Sequence, residues 1–319
     1  MIYFVSLRQN RKSFTNIVRM LRLIADSGST KTDWSLLHSP SPTLAKYEVV
    51  ATFKTQGITP IHQTTADIRQ ILGNELHSQL ATFPRAKLID SKVLEGTLMQ
   101  HTEIFFYGSG CTPAHVPVMK QVLAEVLSPK SVEVYSDLMA AARALCQHEA
   151  GIACILGTGA NSWLYDGEQI VQNTPALGYI LGDEGSGSVL GRLFLNAIFK
   201  NPKLSKLRDE YLEANKFTQA DIIKKVYNEP MANRFLATTS LFISEHLGHP
   251  VLRQLVIDNF RQFFRSNIEP YGRKDLPVHF VGSMAFHYRA QLEEAAKLEG
   301  YTIGETLQSP MEGLVTFHA

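Results

Sequence analysis

Two stretches decide the fold: LIADSGSTKTDWSLL, residues 23–37, and ACILGTGANSWLYDG, residues 153–167. Each reads as an apolar strand, a tight turn of Gly, Ser and Thr, and a second apolar strand. With Gly28 set against Gly157, a tryptophan follows six residues later in both, Trp34 and Trp163, and the chain has no others. One aromatic match can arise by chance. The same strand–turn–strand at the head of both halves is harder to dismiss and marks an internal repeat.

Outward from these hairpins the pattern alternates. In the first half, strands are predicted over 21–25, 33–37 and 47–54. A helix over 64–80 follows, with Ile68, Ile71, Leu72 and Leu76 at helical spacing. Then come a strand over 103–107 and a helix over 117–127, with Pro117 in its first turn and Val118, Val122 and Val126 on one face. A strand over 132–135 and a helix over 138–147 complete a βββαβαβα order. The second half repeats the opening with strands over 152–156, 162–165 and 168–172. Helices follow between 188 and 267, then a strand over 278–282, a helix over 285–298 and a strand over 301–306.

A chain of 319 residues is too long for one small core and suggests two domains. Apolar residues make up 45% and charged residues 19%, a globular balance rather than a disordered one. The formal charge of +1 gives no electrostatic case for nucleic acid or an anionic membrane as partner. No apolar run reaches the roughly 18–20 residues of a membrane helix. Three cysteines exclude a disulfide scaffold, their spacing makes no metal quartet, and a cytoplasmic location is expected. Arg8, Arg11, Lys12 and Arg19 give the first nineteen residues +4, leaving −3 on the rest. Residues 1–19 read as an upstream extension, with Met20 as the natural start.

A turn of Gly, Ser and Thr presents successive backbone N–H groups on one side and lets the main chain approach a ligand closely. Such turns bind anions, phosphates above all. The first turn offers Ser27, Ser29, Thr30, Lys31 and Thr32. The second offers Thr158 and Asn161, with Gly157 and Gly159 allowing close approach. Neither is a G-x-x-x-x-G-K-[ST] loop. Singly each is an ordinary hairpin; two in symmetric halves suggest a phosphate chain clamped between domains. Asp26, at the end of the first strand, would hold Mg²⁺ directly or through water beside such a site. Asp137 ends VEVYS and opens LMAAARAL, and by itself reads as a helix N-cap worth about 1 kcal/mol. GYILGDEGSGSVLGRL, residues 178–193, has more glycine than a helix entry capped by Ser186 or Ser188 needs. Its Asp183 and Glu184 suit sugar hydroxyls or water on Mg²⁺.

In their order and spacing, IADSGSTKTDW, YGSGC, VYSDLMAAARA, CILGTGANSWL, GYILGDEGSGSVLG and HFVGSMAFHY resemble the sugar kinase, actin and Hsp70 superfamily. More narrowly, residues 21–319 resemble the BadF/BadG/BcrA/BcrD-type ATPase family and, within it, the N-acetylglucosamine kinase branch. The resemblance implies an α/β fold of two ribonuclease-H-like, actin-like ATPase domains with a nucleotide cleft between them. These would span 20–149 and 150–319, the second with a helical insertion and with its last residues packed back on the first. It implies Asp26 on Mg²⁺, and Ser29, Thr30, Lys31 and Thr32 around the β- and γ-phosphates. Gly157, Thr158 and Gly159 would form the second phosphate motif, and Gly282 and Ser283 would line the adenosine. Asn161, Gly178, Asp183 and Glu184 would face the sugar. Asp137 becomes the catalytic base, displacing the cap reading. One departure concerns the loop Gly57-Ile58-Thr59-Pro60. Thr59 stands where the family often has a sugar-binding Asn, and a hydroxyl lacks an amide's paired donor and acceptor.

The implied activity is ATP-dependent phosphorylation of an amino sugar at its 6-hydroxyl, with ATP and Mg²⁺ as cofactors and a homodimer as the assembly. The alternative is an ATP-driven activator of the same family, whose members hold an iron–sulfur cluster across a dimer. Cys111, Cys146 and Cys154 show no arrangement suited to a cluster, and the Cys-rich zinc motif of ROK kinases is missing.

Overall fold

The structure is a computed structural model and describes residues 21–39, 46–83 and 98–319. The extension over 1–19 and the start at Met20 lie outside the described residues. The first half runs β1 (Leu21–Ser27), β2 (Lys31–His38) and β3 (Glu48–Gln56). Next come α1 (Thr65–Gln70) and α2 (His77–Thr82), joined by a π-helical turn. β4 (Thr102–Gly108), α3 (Val116–Leu127), β5 (Ser131–Ser136) and α4 (Asp137–Cys146) complete it. The second half opens with β6 (Gly151–Leu156), β7 (Ala160–Tyr165) and β8 (Ile170–Thr174). A helical section follows: α5 (Gly178–Leu181), α6 (Gly187–Lys200), α7 (Ser205–Asn215), α8 (Gln219–Tyr227), α9 (Ala232–Glu245) and α10 (Pro250–Phe263). β9 (Val278–Val281), α11 (Ser283–His287), α12 (Arg289–Glu299), β10 (Ile303–Leu307) and α13 (Met311–Phe317) close it. None of these helices is long and apolar enough to cross a membrane.

The strand orders are β3-β2-β1-β4-β5 and β8-β7-β6-β9-β10. In each, an antiparallel three-strand meander is extended by two strands parallel to its first. Both halves are therefore α/β domains of one topology. β1 shows why it is central: Leu23, Ile24 and Ala25 are all fully buried, as a strand covered on both faces requires.

The tryptophan match does not carry the repeat. Ser27 pairs with Thr32, but Leu156 pairs with Ala160, so the second turn is one residue shorter. Side chains alternate along a strand, and an equal count from the glycine therefore lands on opposite faces. Trp34 packs with Leu36, Leu72 and Phe106, whereas Trp163 packs with Ala141 and Leu145 of α4. On α3 the buried stripe is Met119, Val122, Leu123 and Leu127, and Val118 is exposed. The helix expected over 285–298 breaks at Tyr288, whose hydroxyl donates to the Ser240 carbonyl.

Two helices exchange sides. α4 follows β5 yet packs on β6 of the other sheet, while α13 follows β10 and packs on β1, β2 and α4. Ala140 and Ala144 join the cluster of Ile24 and Tyr107, and Ala141, Ala142 and Leu145 join that of Ala153 and Trp163. Alanine on both faces lets a single helix fit between two sheets.

Candidate functional site

The parallel strands β1, β4 and β5 end together, with Ser27 abreast of Gly108 and Gly108 abreast of Ser136. Residues just beyond strand ends meet there, the usual ligand edge of an α/β sheet. Asp26, Ser109 and Asp137 line a cavity of about 300 Å³ with Gly28, Ser29, Thr30 and Lys31. Asp33 lines it too, directly across the hairpin from Asp26, and sequence reading missed it. Lys31 Nζ lies 2.6 Å from Asp33 Oδ2. Burial, and then the charges of Asp33 and Asp137, push Asp26 up to about 7 against the pull of Lys31. Carboxylates and hydroxyls at so negative a point fit a hard, oxygen-seeking cation such as Mg²⁺. Among the described residues no three His, Cys, Asp or Glu side chains form a ready cage. Such a cation would complete its shell with water or phosphate oxygens.

The cap of α4 is Ser136, not Asp137. The Ser136 hydroxyl accepts the Met139 N–H at 3.3 Å, which leaves the neighbouring carboxylate free of that duty. Asp137 accepts the N–H of Leu138 at 3.0 Å, and burial raises its pKa against this bond. The same carboxylate lines a second cavity of about 470 Å³, walled by Gly110, Thr112, Pro113, Val134 and Met139. Cys111, in the loop after β4, is a buried free thiol.

The second hairpin has its own cavity, of about 320 Å³, where Gly157, Thr158 and Ser283 meet Gly187, Arg234 and Thr238. Gly282, at φ 122°, turns β9 into α11 so close to β6 that a Cβ would lie 2.4 Å from the Leu156 carbonyl. Ser186 caps α6, and the N–H groups of Gly187 and Ser188 donate to the Gly157 and Thr158 carbonyls at 2.8 and 3.2 Å.

Other expected residues lie elsewhere. Thr32 is corrected: it is fully buried, with its hydroxyl 2.6 Å from Ser27 Oγ and bonded to the Gln56 carbonyl at 3.1 Å, so its side chain is turned away from a phosphate. Asn161 accepts from Asn173 at 3.0 Å and from the Ser162 N–H at 2.9 Å. Gly159 faces Asp183, whose Oδ2 would be 3.1 Å from an added Cβ. Burial and the Glu184 charge raise Asp183 while the Ala160 N–H opposes them. Glu184 itself accepts from Asn267 at 3.2 Å. Gly178 opens the exposed α5. These residues are not on the walls of the three cavities. Thr59 is buried, and among the described residues its hydroxyl oxygen has no hydrogen-bond partner. Arg234, also missed from sequence, donates from Nη2 to Ser29 Oγ at 3.2 Å across the two halves.

No protein-family model matches the chain, and no curated protein does. Solved structures do. A Porphyromonas gingivalis protein, with N-acetylglucosamine kinase as its proposed activity, is 43% identical over 94% of this chain and 98% of its own, with a TM-score of 0.78. A Chromobacterium violaceum protein with the same proposed activity shares the fold at 17% identity, over 95% of this chain and 100% of its own, with a TM-score of 0.68. The ROK hexokinase of Thermus thermophilus shares it at 14% identity, over 94% and 97%, with a TM-score of 0.51.

Proposed function

The chain belongs to the N-acetylglucosamine kinase family, and on that premise we propose that it transfers the γ-phosphoryl group of ATP to the 6-hydroxyl of an amino sugar. N-acetylglucosamine or glucosamine is the substrate type. The observation that carries this reading is the place of Asp137, a half-buried carboxylate shared by two cavities, one of them walled by the glycine turn of the first hairpin. A phosphoryl transfer needs a base at such a junction, between donor and acceptor.

The amides and hydroxyls of Ser29 and Thr30, with Lys31, would take the β- and γ-phosphates. Gly157, Thr158 and Gly159 would take the phosphates from the other half, and Gly282 and Ser283 would line the adenosine. Thr59, with its buried hydroxyl unpartnered among the described residues, would take a sugar hydroxyl, and Asn161, Gly178, Asp183 and Glu184, which lie off the cavity walls, would reach the sugar as the halves close. Closure of the halves would exclude water and align the acceptor. Asp137 would take the proton of the 6-hydroxyl as its oxygen bonds to γ-phosphorus. The bond from γ-phosphorus to the bridging oxygen breaks, and ADP leaves with that electron pair. Asp26 would hold Mg²⁺, which supplies charge neutralisation on the phosphates. A homodimer is part of the same reading, to be checked by sedimentation.

The cysteines speak against the activator alternative. All three are buried, and burial pushes the Cys111 and Cys146 thiols up to about 12, away from the thiolate that a cluster needs. The test is a coupled ADP-release assay across an amino-sugar panel. Asp137→Asn is expected to keep ATP binding and lose roughly two or more orders of magnitude in turnover. Near-normal turnover in that variant would remove Asp137 as base; no ADP release with any amino sugar would remove the substrate class.

A further inference from the structure

We propose that Arg234 is a phosphate-binding cation of the cleft, presented by the second half to the polyphosphate held at the first hairpin. Three observations carry this, and it rests on the ATP-binding part of the reading above.

The first is position. Arg234 lies in the first turn of α9 and walls the 320 Å³ cavity together with Thr158 and Ser283. Its guanidinium also reaches Ser29, at the tip of the opposite hairpin, at 3.2 Å. One side chain thus joins the two anion-binding turns.

The second is charge. Lys31 lies 2.6 Å from Asp33, and Lys54 approaches the same carboxylate at 4.0 Å. Lys31 is therefore already engaged by an acid. Arg234 has no carboxylate within ion-pair distance among the described residues, and its hydrogen bond is to a neutral hydroxyl. A guanidinium presents a planar fork of donors matched to phosphate oxygens, and such charge-assisted pairs are the strong ones. A phosphate arriving between the hairpins would meet Arg234 and the Ser29 hydroxyl together.

The third is rigidity. α6 holds the second hairpin through the Gly187 and Ser188 N–H groups. Gly191 of α6 faces α9 so closely that a Cβ there would sit 2.0 Å from the Leu236 carbonyl. Arg234 is thereby registered to Thr158, and any movement of the second half carries both.

The test is calorimetric titration of wild type, Arg234→Ala and Arg234→Lys with adenosine and with ATP, Mg²⁺ present. Arg234→Ala is expected to bind adenosine like wild type and to lose roughly 10- to 100-fold for ATP, with Arg234→Lys recovering part of that loss. A residue that merely staples the halves together would weaken adenosine and ATP alike, and that outcome overturns the proposal. So does unchanged ATP affinity in Arg234→Ala. A wild type that binds no ATP overturns the nucleotide reading itself, which separates that failure from this one.

Discussion

At Asp26 a carboxylate is kept where its charge is unwelcome. Its folded pKa of about 7 stands against an ordinary 3.8, from burial and from the facing Asp33 and Asp137. The sign follows directly. Below 3.8 the carboxyl is protonated folded and unfolded, and its contribution to stability is full. Between 3.8 and 7 the unfolded chain sheds a proton that the fold retains, so stability falls as pH rises. Asp26→Asn is therefore expected to raise the melting temperature of the ligand-free protein at pH 8, on the order of 2 kcal/mol, and by less at pH 5. An equal gain at both pH values would mean that the carboxylate is already ionised at pH 5. Asp26 and Asp137 were legible in the sequence because both sit where an apolar strand meets a turn or helix. Asp33 was not, because its place depends on hairpin register, and Ser136 was not, because two adjacent cap-forming residues compete and propensity does not choose between them. Arg234 faces Ser29 across 205 residues of sequence, and no local pattern announces that.

Among the elements, the hairpins and the succession of strands along the chain were readable because period-two apolar runs and Gly/Ser/Thr turns are local signals. The six-residue tryptophan spacing misled because a turn shorter by one residue reverses the face on which the ring lands. How the helices pack was invisible, since it depends on surfaces brought together only by the fold. The α6–α9 crossing is the case that matters for function. Gly191 is spent there on close approach, with the Leu236 carbonyl and Thr239 Oγ1 both inside the reach of a Cβ. Backbone carbonyl cannot give way as a flexible side chain can, so Gly191→Ala must part the two helices. The expected cost is about 1–3 kcal/mol, read from urea unfolding. ATP affinity is expected to fall as well, since Arg234 and Thr158 lose their common register. Loss of stability with intact ATP affinity would show that α9 does not set the nucleotide site.

In the whole molecule, the exchanged helices α4 and α13 bind the halves together, and the packing beyond α13 gives this junction its own pH response. His318 Nε2 lies 2.8 Å from the Tyr107 hydroxyl, which also accepts from Arg143 at 2.9 Å. The imidazole sits 4.1 Å from the Phe105 ring, and the His318 carbonyl accepts from Arg22. Burial, then the charges of Arg143 and Arg22, lower His318 from 6.5 to about 3, so the ring stays neutral in the fold. Above pH 6.5 it is neutral in both states and its contribution is full. As pH falls from 6.5 toward 3 the unfolded chain gains a proton that the fold refuses, and stability drops by up to about 1.4 kcal/mol per pH unit. His279, half-buried and lowered by partial burial, acts in the same sense. Asp26 acts in the opposite sense over nearly the same window, so the two partly cancel in the wild type. His318→Gln keeps an amide near the Tyr107 hydroxyl but carries no titrating ring. It is expected to melt lower at pH 7, by about 1 kcal/mol of lost ring packing, yet to lose less than wild type between pH 7 and pH 5. Asp26→Asn is expected to tilt the profile the other way, steepening the loss toward acid because the compensating gain is gone. Melting curves of the three proteins at pH 5, 6, 7 and 8 decide it. Should His318→Gln keep the wild-type slope, the imidazole takes up its proton without leaving the fold, and α13 is not the fixed bond between the halves that its packing indicates.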